Sequence, residues 1–254
     1  MDRITNIFAA HKPLVIFTSV GYPNEEQCEQ AVCAAIDKGA DIIELGVPFS
    51  DPMADGPVIA AASQVALKEG MNLHKVIAFA SRLRVRYPKV GLILFSYMNP
   101  LLHEGYENVC TQLAEAGVDG ILPVDLPLEE REELLAPARK HSLHIIPLVS
   151  PLTPEERIAQ IVEGMTGFVY YINVAGVTGA RNELPPDVAD HIAMIKRHTA
   201  LPVAAGFGIA SAEAAHAAAK AADGVISGSG FVKATAESVD AAAAFTSELL
   251  RGIK

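Results

Sequence analysis

Two carboxylates in one short stretch, Glu44 and Asp55, have the setting that acid–base chemistry needs. Residues 41–56 read D-I-I-E-L-G-V-P-F-S-D-P-M-A-D-G, so Glu44 lies inside an apolar run, with Asp51 and Asp55 in the turn-forming stretch behind it. Period-two alternation puts Ile42, Glu44 and Gly46 on one face of a strand and Ile43 and Leu45 on the other. A carboxyl on a buried face is costly to ionise, and catalysis is a common reason to keep one there. Asp55 falls past the strand, on a loop shaped by Gly46, Pro48, Pro52 and Gly56. One acid on a strand and one on the following loop can converge on a bound molecule from two sides. The alternative is a salt-bridged core glutamate followed by an ordinary Asp-rich turn.

The elements that must position these acids repeat along the chain. Short apolar runs predict strands at 14–19, 41–45, 92–97, 120–124, 144–149, 167–173, 202–205 and 224–227. Amphipathic stretches lie between them, among them 25–38, 73–86, 106–116, 128–141 and 212–221. Eight Val-, Ile- and Leu-rich strands alternating with helices imply parallel strands covered on both faces. The junctions K-G-A-D-I-I-E, A-G-V-D-G-I-L, E-G-M-T-G-F-V and K-A-A-D-G-V-I echo one another, each closing a helix and launching a strand. In three of them glycine suits the helix C-cap, and a small or acidic residue suits the tight turn that follows. Eight such units in 254 residues fit an α/β fold, a closed (β/α)8 TIM barrel forming a single domain over 1–254, better than an open doubly wound sheet.

Such barrels carry their active sites at the C-terminal ends of the strands. Phe17, Glu44, Tyr97, Asp125 and Tyr170 fall at or near those ends. G-F-G-I at 206–209 follows the seventh strand, and S-G-S-G at 227–230 follows the eighth. Glycine-rich turns there, the second opening a helix, present backbone N–H groups to a phosphate, and Ser229 adds a hydroxyl. No Walker-type or dinucleotide glycine motif occurs, so a small phosphorylated metabolite suits the loops better than a nucleotide. The alternative is turns that merely need φ > 0. The aromatic and apolar strand-end residues Phe17, Tyr97, Leu122, Leu148 and Tyr170 suggest a flat, apolar remainder of the substrate, the alternative being plain core packing.

Absences narrow the reaction. No lysine lands inside a strand to form a Schiff base, and histidines fall on helices, loops or a strand entry rather than clustering as metal ligands. No metal site is expected, and what remains is acid–base chemistry by Glu44 and Asp55 on a phosphorylated substrate. Formal net charge is −10, which argues against nucleic acid. Cys28, Cys33 and Cys110 have no metal-type spacing and read as buried thiols of a reduced compartment. The first residues lack the apolar core of a signal peptide, and no run reaches membrane-spanning length, so a cytoplasmic protein is expected.

E-L-G-V-P-F-S-D-P-M-A-D-G-P at 44–57, with G-V-T-G at 176–179, G-F-G-I and I-S-G-S following in order, resembles the tryptophan synthase alpha subunit family over nearly the whole chain. The resemblance implies a cofactor-free lyase that cleaves indole-3-glycerol phosphate to indole and glyceraldehyde 3-phosphate. It implies Glu44 and Asp55 as the two acids, with Thr178 orienting Asp55. It implies a phosphate held by Gly179, Gly208, Gly228 and Ser229, and an indole pocket of Phe17, Tyr97, Leu122, Leu148 and Tyr170. It also implies a pyridoxal-phosphate-dependent beta subunit as partner in an alpha2-beta2 heterotetramer, met near Pro48, Asp51 and Asn99. Four positions depart from the family pattern. Asn173, Val174 and Ala175 stand where many members carry Ser-Arg before a small residue, and Tyr22 replaces an acidic residue of some members. Alternatives within reach of the sequence are a stand-alone indole-releasing lyase, a catalytically silent barrel kept as an allosteric partner, and another phosphate-binding barrel such as a ribulose-phosphate epimerase.

Overall fold

A computed structural model of the protein describes residues 2–172, 187–206 and 208–254. Its strands all run parallel in one sheet. In chain order they are β1 (Leu14–Ser19), β2 (Ile42–Gly46), β3 (Gly91–Ser96), β4 (Gly120–Pro123), β5 (His144–Ile145), β6 (Leu148–Val149), β7 (Val169–Ile172), β8 (Val203–Gly206) and β9 (Gly224–Ser227). The sheet order is β5-β4-β3-β2-β1-β9-β8-β7-β6, so its two ends are consecutive pieces of the same chain segment. That segment closes the ring. Ile146 N–H donates to Ile121 O at 2.9 Å on one side, and Pro147 O accepts from Tyr170 N–H at 2.9 Å on the other. The strand expected at 144–149 is therefore split, because Pro147 has no N–H to give the ladder. Counted as one, β5 and β6 give the eight strands of a TIM barrel.

The helices cover the outside: α1 (Arg3–Ala10), α2 (Glu25–Lys38), α3 (Pro57–Lys68), α4 (Leu73–Arg86), α5 (Met98–Glu104), α6 (Tyr106–Glu115), α7 (Glu132–Lys140), α8 (Glu155–Val162), α9 (Val188–His198), α10 (Ala212–Ala221), α11 (Ser229–Glu237) and α12 (Val239–Ile253). Several begin where a side chain satisfies a free N–H: Asn24 accepts from Gln27, Asn72 from Lys75 and Ser211 from Ala214. The helix expected over 128–141 is a 3-10 turn at Leu128–Glu130 followed by α7. Pro127 precedes that turn and fixes the chain in extended geometry at its entry. None of the helices among the described residues is long and apolar enough to cross a membrane.

Strand alternation divides the apolar residues between two layers. Val15, Ile42, Ile93, Leu122, Ile146, Phe168, Ala204 and Ile226 fill the barrel, and α1 plugs its entry end with Ile4, Ile7 and Phe8. Leu14, Ile16, Ile43, Leu45, Leu92 and Leu94 face outward against the helices. Both faces are thus dry, which is why every residue of β1 and β2 is buried.

The repeated junctions have a shared physical job at that entry end. Asp41 donates its N–H to Leu14 O and accepts Leu14 N–H on Oδ2. Asp119 does the same with Leu92, and Asp223 with Val203. The fourth junction places Thr166, whose hydroxyl meets His144 Nδ1 at 2.8 Å. Each contact ties an even-numbered strand of the ring to the odd-numbered one before it. This is why β2 begins at Ile42 rather than Asp41. Asp119 is the most heavily engaged of the four: its carboxylate also takes Arg3 at 2.7 Å and Arg84 at 2.8 Å, and Arg84's side chain is only 12% exposed. Removing one partner of a buried ion pair leaves an uncompensated charge, which costs about 3–5 kcal/mol. Asp119→Ala should therefore lower unfolding stability by about 3 kcal/mol in denaturant titration while leaving the opposite end of the barrel intact; a loss under about 1 kcal/mol would show that the clamp is unimportant.

Candidate active site

Glu44 stands in the middle of β2, in register between Phe17 of β1 and Ile93 of β3. Alternation turns its side chain into the barrel, where it is fully buried and, among the described residues, neither carboxyl oxygen has a hydrogen-bond partner. Burial alone pushes its pKa up to about 8, since nothing nearby solvates the anion. At neutral pH the group is mostly a neutral acid that holds a transferable proton. The salt-bridged core glutamate is thus not what the structure contains.

Asp51 and Asp55, four residues apart, part company. Asp51 is exposed and takes the Ser50 hydroxyl at 2.5 Å in a surface turn. Asp55 lies half-buried just before α3, whose start is set by Pro57 at its first position. Burial raises the Asp55 carboxyl to about 6, against the lowering effect of a hydrogen bond from Tyr97. Asp55 is therefore mostly ionised at neutral pH while Glu44 is not. Environments that push two acids apart in this way separate their roles.

The walls come from neighbouring strand ends. Phe17 meets Phe95 edge-on at 4.8 Å. Its ring needs Gly46, because a Cβ there would lie 2.7 Å from two of the ring carbons. Leu122, Leu148, Tyr170 and Phe95 belong to one inner cluster. Tyr170 leans over Gly206, where a Cβ would come within 2.9 Å of its hydroxyl. Burial, with the charges of Glu44 and Asp55 adding to it, holds the Tyr170 phenol well above its ordinary range. Tyr97 is not in a strand, as 92–97 would have had it. It caps α5, stacks on Phe49 at 5.0 Å and accepts the Ala54 N–H on its hydroxyl at 3.0 Å.

The glycine loops lie side by side. Ser227 Oγ donates to Ile209 O at 2.6 Å, which ties the loop after β8 to that after β9. Gly208 has φ +65°, a left-handed conformation that favours glycine. Gly228 caps α11 with no side chain on the first-turn N–H groups, leaving Ser229 at the helix start. A Cβ on Gly228 would sit 3.5 Å from Phe17, so this end of the site adjoins the aromatic wall. Thr178 and Gly179 lie outside the described residues, as do Asn173, Val174 and Ala175. Phe95 and Phe49 escaped the sequence reading. Phe95 shares the inward face of β3 with Ile93, and that alternation was the available signal; Phe49 is placed only by its stack on Tyr97. Among the described residues, no three His, Cys, Asp or Glu side chains form a group that could hold a metal.

A family model described as Tryptophan synthase alpha chain matches residues 7–251. The chain belongs to the tryptophan synthase alpha chain family. It is 43% identical over 238 residues to the tryptophan synthase alpha chain of Geobacter sulfurreducens, covering 92% of this chain and 90% of that one. Against the alpha chain of Chloroflexus aggregans it is 41% identical over 260 residues, covering 98% and 97%. Among solved structures, tryptophan synthase from M. tuberculosis in its aminoacrylate-bound form superposes with TM-score 0.92 at 32% identity over 100% of both chains. The alpha subunit from Legionella pneumophila gives 0.91 at 32% identity, over 100% of this chain and 98% of that one. The family's reaction is cleavage of indole-3-glycerol phosphate to indole and glyceraldehyde 3-phosphate in tryptophan biosynthesis, and this chain is a carbon–carbon lyase of that kind.

The raised Glu44 pKa has a consequence for stability. A carboxyl with a pKa of 4.5 unfolded and about 8 folded stabilises the fold fully below 4.5, and that contribution is lost as pH rises toward 8. One proton is worth at most about 1.4 kcal/mol per pH unit across that window. Glu44→Gln removes this loss, so the variant should gain stability relative to the natural protein as pH rises from 5 to 8. Parallel stability curves over that range would mean that Glu44 is not held protonated.

Proposed function

We propose that Glu44 and Asp55 divide the acid–base work of indole-3-glycerol phosphate cleavage between them. The observation that carries this is the Glu44 carboxyl, buried with no partner on either oxygen among the described residues, while Asp55 is raised less and stays mostly ionised. Phe17, Tyr97, Leu122, Leu148 and Tyr170 enclose the indole ring, and Gly208, Gly228 and Ser229 at the start of α11 hold the phosphate, with Thr178 orienting Asp55 and Gly179 completing the phosphate contacts.

Glu44 delivers its proton to indole C3, which makes the ring a cation with its charge at N1. Asp55 accepts the N1–H hydrogen bond, and that bond strengthens as the charge develops, so it favours the transition state over the substrate. The Glu44 carboxylate then takes the proton of the hydroxyl next to C3. The oxygen electrons close the aldehyde C=O, the carbon–carbon bond breaks, and its electrons restore the indole double bond. Glu44 ends protonated, as it began. The balance closes with no metal or organic cofactor.

The partner in this reading is a pyridoxal-phosphate-dependent beta subunit in an alpha2-beta2 heterotetramer, which would receive the indole. Met53, 83% exposed on the loop carrying Asp55, and Leu102, 58% exposed on α5, offer apolar contacts on the active-site face near Pro48, Asp51 and Asn99. The whole chain acts as a single domain in the cytoplasm, where reduced Cys28, Cys33 and Cys110 are stable.

Glu44→Gln should lower turnover by 10² to 10⁴-fold with the fold retained, the range typical for a general acid–base group; unchanged indole release would end the assignment. The kcat/KM profile should be bell-shaped. It should fall below about pH 6 as Asp55 gains a proton, and above about pH 8 as Glu44 loses the one it must donate. A profile flat from pH 5 to 9 would contradict both roles. Added beta subunit should accelerate indole release, and an unaffected rate would remove the heterotetramer from the proposal.

A further inference from the structure

The geometry points to Tyr97 as a positioning residue for Asp55, holding the loop that carries the acid as well as lining the pocket; the inference rests on the role of Asp55 proposed above. A phenol has one proton to give and lone pairs to accept. Tyr97 brings both to the same loop. Its oxygen accepts the Ala54 N–H at 3.0 Å, and its hydroxyl comes near enough to the Asp55 carboxylate next along the chain to lower that acid's pKa.

The phenol itself is well fixed. Tyr97 is 2% exposed and its ring lies against Phe49 at 5.0 Å with 27° between the planes. The turn that carries it out of β3 is pinned where Met98 N–H donates to Asp125 Oδ1 at 2.8 Å, beyond the end of β4. The loop, by contrast, has its own tight turns, Met53 N–H to Asp51 O and Asp55 N–H to Pro52 O, which shape it without fixing it to the barrel. Val47 N–H on Phe95 O ties down its root at 2.9 Å. Tyr97 ties down its acid-bearing end.

The titratable groups facing Asp55 give the hydroxyl a second effect. Tyr170 of β7 feels the charge of Asp55 as well as that of Glu44, while Asp125 acts on Tyr97 itself. Each of these is neutral or negative. Burial raises Asp55, and the Tyr97 hydrogen bond counters it. The hydroxyl therefore aims the carboxylate and helps to keep it charged before substrate arrives.

Tyr97→Phe keeps the ring and its stack on Phe49 and removes only the hydroxyl. The expected result is a kcat for indole-3-glycerol phosphate cleavage lower by about tenfold, with KM changed less than about twofold, because one hydrogen bond to a charged group is lost. The acid limb of the kcat/KM profile should move to higher pH. A kcat and an acid limb like those of the natural protein would overturn the inference. In an Asp55→Asn background the same change should have less than a twofold effect; a full tenfold loss there would mean that the hydroxyl acts elsewhere, and would also overturn it. Asp55→Asn alone separates the two readings. Natural turnover in that variant removes the role of Asp55 and this inference with it, whereas low turnover beside a fully active Tyr97→Phe removes the inference alone. Should Tyr97→Phe fail to fold, the Tyr97 phenol is titrated with the residue in place. Asp55→Asn should lower its pKa, and an unmoved value would overturn the inference.

Discussion

A carboxyl group buried inside the barrel with no hydrogen-bond partner among the described residues is the constraint on which the rest of the structure depends. Ionising Glu44 in that position costs several kcal/mol, and the cost persists only while water and cations stay out. Anything that admitted water, or swung a lysine or arginine into reach, would return the group to an ordinary carboxylate with no proton to donate. The surroundings answer that requirement. Phe17 and Ile93 flank it on the adjacent strands, and Gly46 leaves the space that the Phe17 ring fills. The low polarity that raises Glu44 also strengthens any interaction with a charge that develops on the substrate.

Rigidity and chemistry sit at opposite ends of the strands. At the entry end, Asp41, Asp119 and Asp223 each close a two-bond ring with the preceding strand, and α1 fills the opening. These contacts hold the strands in register, so Glu44 faces inward and the glycine loops after β8 and β9 meet. A one-residue slip of β2 would turn Glu44 to the outside. At the exit end aromatic contacts join the polar ones, and the acid-bearing end of the loop is held at Ala54 by the Tyr97 phenol. The arrangement lets the acid on the strand be invariant in position while the acid on the loop can respond to what binds. Because Asp55 is raised less than Glu44, the first is mostly ionised and the second mostly protonated near neutral pH.

Much of this was legible in the chain. Eight apolar runs gave the barrel because their spacing reflects a repeated unit, and the inward placement of Glu44 followed from strict alternation around it. The repeated junctions signalled a turn, but their side-chain bonds to the previous strand depend on neighbours about 20–30 residues away, which local pattern cannot reveal. The break at Pro147 is visible in sequence only to a reader who already knows that this segment must pair on both sides. Tyr97 read as a strand residue because apolar character runs through it; its place at the helix cap is set by Asp125 on the next unit. Local pattern alone does not separate Asp51 from Asp55, which sit in the same polar turn; the family resemblance singled out Asp55, and the fold leaves Asp51 exposed and half-buries Asp55.

The central claim is that Glu44 waits as a protonated acid, and the most direct measurement is its titration in the substrate-free protein. Carbon-13 carboxyl NMR with labelled glutamate, assigned by the signal missing from Glu44→Gln, reports that protonation state without reference to turnover. The expected result is a neutral carboxyl at pH 7 that titrates near 8. A signal that titrates near the ordinary glutamate value of about 4.3 would contradict it, and would leave the buried acid without the proton on which the mechanism depends.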